Sequence, residues 1–122
     1  FKEFHDKFGP LIGNVLLSKI AQKVSSYVDD SGLPVRTMND EFLIFLPDID
    51  KTIAGEIAEK IRQGVEKLTF ISSKSGVRFP KMTISLGVDS FSVTEKPTAL
   101  ILKARHVLSR HKSATANQVV VA

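Results

Sequence analysis

The chain predicts an α/β (α+β) fold, a mixed central sheet flanked by helices, and three observations carry that expectation. Apolar residues recur at helical spacing in two long stretches, Ile12, Leu16, Ile20, Val24, Val28 and Ile53, Ile57, Ile61, Val65, Leu68. Each gives one apolar stripe for a helix to bury. The run Phe42-Leu43-Ile44-Phe45-Leu46 is apolar at every position, which suits a central strand covered on both faces. The elements also follow the order helix, strand, strand, helix, strand, helix, strand, compatible with the split βαβ group of folds and with others. At 122 residues the chain is one domain, 1–122, with a single core.

In order, a helix is expected over residues 11–28, ended by Asp29-Asp30-Ser31-Gly32, with Gly32 as a left-handed cap. Two short strands follow, Val35 to Thr37 and Glu41 to Leu46, the second stopped by Pro47. Asp50 is placed to cap a helix over 51–68. Ser72 to Gly76 has turn chemistry. From Lys81 to Phe91, Met82, Ile84, Leu86 and Val88 alternate with Thr83, Ser85 and Gly87, the pattern of a half-buried strand. Pro97 opens a helix running to about Lys112, and Gln118 to Val121 forms a last strand. The chain opens on a helix-like segment, so a leading strand before Phe1 is part of the expectation.

Composition narrows the function classes. Apolar residues make up 43% and charged residues 25%, ordinary for a globular protein. No apolar run reaches the ~20 residues that span a bilayer, and no secretory leader pattern opens the chain. The absence of cysteine excludes disulfides and thiolate metal sites and is compatible with a reducing, cytoplasmic location. The net charge of +4 permits contact with phosphates, nucleic acid or anionic lipid without choosing among them. A solvated basic helix face explains Lys103, Arg105, Arg110 and Lys112 equally well, and no nucleic-acid partner is expected. His106 and His111 lie five apart with no third ligand, so they form no zinc site. No nucleophile elbow, GxGxxG or P-loop is present.

Ordered segments carry a resemblance. Phe1-Lys2-Glu3-Phe4-His5-Asp6-Lys7-Phe8-Gly9 is similar to F-K-x-x-N-D-x-Y-G, and Gly13-Asn14-Val15-Leu16-Leu17 to G-D-x-x-L. Arg36-Thr37-Met38-Asn39-Asp40-Glu41-Phe42 stands where R-Y-G-G-D-E-F would, and Thr83-Ile84-Ser85-Leu86-Gly87-Val88 resembles T-x-S-x-G-V. Ala104-Arg105 through Lys112 and Asn117 follows A-D-x-A-L-Y-x-A-K-x-x-G-R-N. Together these resemble the GGDEF domain of the diguanylate cyclase family. The resemblance implies a nucleotidyl-cyclase-like sheet with a signature β-hairpin near 36–42.

The family's chemistry is also implied. Two domains each hold one GTP and join them through 3′-hydroxyl attack on the α-phosphate, with divalent metals neutralising charge on the phosphates. By resemblance Asp40 is a metal ligand, and the second ligand, a carboxylate ending the first strand, is absent from this sequence. Glu41 takes the position given a general-base or transition-state role. His5 and Asn14 replace the Asn and Asp that read guanine. Asn14 offers one acceptor and a mismatched donor where a carboxylate accepts twice, at a cost of ~1–3 kcal/mol if a buried group goes unpaired. Met38 and Asn39 replace the glycines that let phosphate approach the backbone. Lys112 is kept as a phosphate contact, Ala116 stands where the phosphate arginine should, and Arg105 replaces an acidic residue. The R-x-x-D product-inhibition motif would fall on Asp29 and Gly32 and does not match.

These departures lean against an enzyme. The expected function is a catalytically inactive, degenerate GGDEF-like regulatory domain of a bacterial cyclic di-GMP signalling protein, a pseudoenzyme acting by protein–protein interaction. Its partners would be sensor, receiver or EAL-type domains or other pathway proteins, with a homodimer as a further option. The alternative is a GTP- or cyclic di-GMP-sensing pseudoenzyme, or a weak cyclase, although the altered residues weigh against both ligands. No cofactor is expected, save Mg if nucleotide binding survives.

Overall fold

The computed structural model describes residues 6–28, 30, 32–38, 41–72, 74–76, 78–92, 94–109 and 117–122, with residues 36–38 and 97 described by their backbone. The first long helix, α1 (Pro10–Val28), starts at the Gly9-Pro10 step, where Gly9 has φ +89° and its carbonyl accepts from Gly13 N at 3.1 Å. Leu16, Ile20, Val24 and Val28 are buried, but Ile12 is 38% exposed, so the stripe begins one turn later than its spacing predicts. Leu17 and Gly13 are buried beside it and widen the contact face.

β1 (Leu33–Met38) and β2 (Glu41–Phe45) pair antiparallel as a hairpin. Its register pairs Leu33 with Phe45 and Arg36 with Phe42, then shifts at a bulge so that Met38 faces Glu41. The turn before β1 corrects one expectation. Gly32 is not left-handed; it is needed for space, because a Cβ there would meet the Phe45 carbonyl at 2.5 Å and Leu46 Cδ2 at 2.6 Å.

α2 (Lys51–Glu66) begins at Asp50, whose carboxylate accepts from Ile53 N at 2.9 Å, the expected cap. The helix stops at Glu66 rather than 68, where Lys67 and Leu68 donate back to Gln63 and Val65 carbonyls. Ile61 and Val65 are buried, while Ile53, at the exposed first turn, is 47% open. The Ser72 to Gly76 turn forms, with Gly76 N donating to the Ser72 carbonyl at 2.8 Å.

The half-buried strand expected from Lys81 to Phe91 is regular only over β3 (Leu86–Val88). A ladder exists only where a neighbour supplies partners, and here β4 (Val119–Val121) supplies three, running parallel with Leu86 opposite Val119. The alternation upstream still holds: Met82 is buried, and Ile84 and Leu86 pack on the same core. Between β3 and β4, α3 is described over Pro97–Ser109; the part expected to run on to Lys112 falls in residues 110–116, outside those described.

Among the described residues the predicted mixed sheet is therefore two pairs, β1–β2 and β3–β4. β2, apolar enough for a central strand, is hydrogen-bonded to β1 alone. The core joins α1 and α2 through Leu16, Ile20, Val24, Val28, Ile61 and Val65, with Phe42, Ile44 and Leu86 packed against it. α3 lies on the other side of β3. A Cβ on Gly87 would meet the Ala104 carbonyl at 2.7 Å and Leu108 Cγ at 2.9 Å, whereas Leu86, pointing the opposite way, reaches the α1–α2 core. This is the expected α+β architecture, helices packed on both faces of short strands. No helix of the described residues is long and apolar enough to cross a membrane.

Candidate functional site

The hairpin places Glu41 at the start of β2, directly after the tip, and α3 brings Arg105 to it across 64 positions of sequence. The guanidinium donates from Nε at 3.0 Å and from Nη2 at 2.8 Å, both to Glu41 Oε2. Both side chains are about two-fifths exposed, so the pair sits at the mouth of the site, where water screens it. This contact was not legible in the sequence, where Arg105 is only a replaced acidic residue.

A second polar cluster holds Asn117, two residues before β4. Arg62, on α2, donates to Glu59, to Glu66 Oε2 at 2.7 Å and to Asn117 Oδ1 at 2.9 Å. Asn117 Nδ2 returns a hydrogen bond to Glu66 Oε2 at 2.9 Å, and its backbone N donates to Ser85 Oγ at 3.1 Å. Asn117 has φ +67°, a left-handed conformation that Asn tolerates better than most residues. The bond from Asn117, then that from Arg62, holds the Glu66 carboxyl below the usual range; Arg62 does the same for Glu59. The Arg62 guanidinium is correspondingly held more firmly charged. Spacing shows the Glu59–Arg62–Glu66 series as helix-surface pairs; its link to Asn117 has no local signal.

Of the sequence-predicted site residues, Glu41 opens β2 and Asn14 is exposed on α1. Met38 ends β1, opposite Glu41 in register. His5, Asn39, Asp40 and Lys112 lie outside the described residues, as do Asp29 and Ala116. Among the described residues no group of three or more His, Cys, Asp or Glu is arranged to hold a metal. The described carboxylate beside Asp40 in sequence, Glu41, is paired with the Arg105 guanidinium.

The family model described as "Diguanylate cyclase, GGDEF domain" matches residues 1–118. The chain belongs to the GGDEF domain family. It is 30% identical over 120 residues to diguanylate cyclase VdcA of Vibrio cholerae, covering 98% of this chain and 35% of that protein. It is 33% identical over 121 residues to the response regulator PleD of Caulobacter vibrioides, covering 98% of this chain and 26% of that protein. The domain thus spans about a third or less of the length of these curated relatives. Among solved structures it matches diguanylate cyclase SiaD of Pseudomonas aeruginosa, determined with its activator SiaC, at TM-score 0.89 and 26% identity, covering 99% of this chain and 45% of that one. The GGDEF domain of DgcB from Caulobacter crescentus matches at TM-score 0.89 and 19% identity, over 98% of this chain and 70% of that one, a likeness of fold.

Proposed function

We propose that this GGDEF domain is a catalytically inactive regulatory module of a bacterial cyclic di-GMP signalling protein, working in the cytoplasm through protein–protein contact. The observation that carries the reading is the Arg105–Glu41 pair. A carboxylate serving as a base or steering charge in phosphoryl chemistry must be available to the reacting groups, and here a guanidinium engages it with two N–H groups. The sequence adds Met38 and Asn39 at the glycine positions and Ala116 where a phosphate arginine would stand. That the similar cyclase SiaD has been solved with a protein activator supports protein contact as a mode of regulation for such a module.

The test is a calorimetric titration of the domain with GTP and then cyclic di-GMP, each with magnesium, followed by a turnover assay. The expected result is no heat with either nucleotide and no cyclic di-GMP formed. Formation of cyclic di-GMP would overturn the proposal. Binding without turnover would favour the second reading, a nucleotide-sensing pseudoenzyme, which rests on the retained Asp40, Glu41 and Lys112 and needs Mg.

A further inference from the structure

From the end of α2 through β3, residues 67–88 carry Lys67, Lys74, Arg78 and Lys81 and no acidic residue. All four side chains are exposed, and none forms a salt bridge among the described residues. A local hairpin gathers them. Ile71 bridges Arg78 antiparallel, and Phe79 N donates to the Phe70 carbonyl at 2.8 Å. Opposed residues of such a pair share a face, and successive residues alternate. Phe70 is buried and Phe79 packs against the core, edge-on to Phe8 with ring centroids 5.1 Å apart. Ile71, 58% exposed, and Arg78 therefore face outward together. In the turn, Gly76 has φ +71°, and a Cβ there would meet nothing within 4 Å, so the tip beside Lys74 stands in open space. Lys7 adds a further cation at the base, its Nζ 5.4 Å from the centroid of the Phe8 ring that rests on Phe79. Of the neighbouring acids, Asp6 adjoins Lys7 in sequence. Glu66 is already engaged by Arg62 and Asn117, and Lys81 acts on it only through its charge. The arm keeps an excess of positive charge.

We infer that this arm is a docking surface for an acidic, extended segment of a partner protein. An apolar side chain of that segment sits on Ile71, and its carboxylates meet the surrounding cations. An exposed apolar centre inside a charged rim is the layout of protein–protein interfaces. Opposite charge on the partner speeds encounter and turns away like-charged competitors. The arm's two aromatic rings face inward, so neither is left to lie among lipid headgroups or to stack on bases. That favours a protein over a membrane or a nucleic acid. The same inward rings hold the arm on the core, so docking has little to order beyond the cationic side chains. The inference rests on the reading of the domain as a protein-contact module and names the face that makes the contact.

An NMR titration of the isotope-labelled chain uses a peptide of about 6 residues, a typical strand length, alternating Glu and Leu. The expected result is amide shifts concentrated in residues 67–81, weakened by salt and lost when Gln replaces Glu in the peptide. Lys74→Glu combined with Arg78→Glu should weaken binding roughly tenfold or more. Lys19→Glu combined with Lys60→Glu makes the same charge change on α1 and α2 and should stay within about twofold. All four substituted side chains are exposed, so both variants keep the native fold, checked by their unfolding midpoints. No shifts with the acidic peptide would overturn the inference, as would shifts centred outside the arm or equal losses in the two variants. Tighter binding of phosphatidylserine vesicles or duplex DNA through the same cations would also sink it, since the partner would then be of another class. The two readings fail separately. Formation of cyclic di-GMP would overturn the regulatory role and leave the peptide result standing, whereas a silent peptide titration would remove only the arm.

Discussion

Arg105 reaches the candidate site from α3 by pairing with Glu41. Its pair with Glu41 is partly exposed, so its thermodynamic weight is small even though it occupies the carboxylate. A double-mutant cycle with Arg105→Ala and Glu41→Ala should give a coupling of about 0.2–1 kcal/mol by denaturant unfolding, shrinking at high salt. No coupling at low salt would mean the pair does not persist in solution. Asn117 carries more, because it combines a left-handed backbone with three side-chain and backbone hydrogen bonds. Asn117→Ala loses the side-chain bonds and strains the backbone, at a cost of about 2 kcal/mol. Asn117→Gly loses the bonds but suits the conformation and should cost less. Equal unfolding free energies for the two variants would show that the φ angle is not a constraint.

Elements were legible where a local pattern decides them. The α1 and α2 stripes, the Asp50 cap and the hairpin all follow from spacing and short-range chemistry, and each stands within a few residues of its expected place. What the pattern could not reveal depends on partners far along the chain. The alternation from Lys81 predicts a long strand, but regular pairing reaches only as far as the three rungs offered by β4. Gly32 reads as a cap in sequence and is in fact a point of close approach to Phe45 and Leu46. Gly87 belongs to the same class, and a prediction follows for the β3–α3 contact. Gly87→Ala forces the new methyl against the Ala104 carbonyl and should destabilise the domain by about 1–3 kcal/mol in chemical unfolding. An unchanged midpoint would mean that α3 stands further from the strand. The sequence reading puts Glu41 at the start of a strand, where it stands, but carries no signal for the ion pair from α3, which spans 64 positions.

For the whole molecule, acid is the informative perturbation. Glu59 and Glu66 have folded pKa values below their ordinary ones, so they favour the folded state while both folded and unfolded chains are ionised. That contribution begins to fall as pH drops below about 4.3, the ordinary glutamate value, and is gone once pH passes below the depressed folded values. Both side chains are more than two-fifths exposed, so the effect on melting is modest. The expected signature is local: the Asn117 amide resonance shifts in this acid range in the native protein, and Glu66→Gln removes most of the shift. An Asn117 resonance indifferent to acid would argue that Glu66 does not hold it. The same native core, with Ile61 and Val65 at its centre, should persist through this local change.

The Arg62 cluster also joins a local to a distant part of the chain. Glu59 and Glu66 lie three and four positions from Arg62 on the same helix, so its charge is matched locally, without help from the distant Asn117. In the folded domain Asn117 therefore docks onto a surface whose charges are already matched by neighbours within α2.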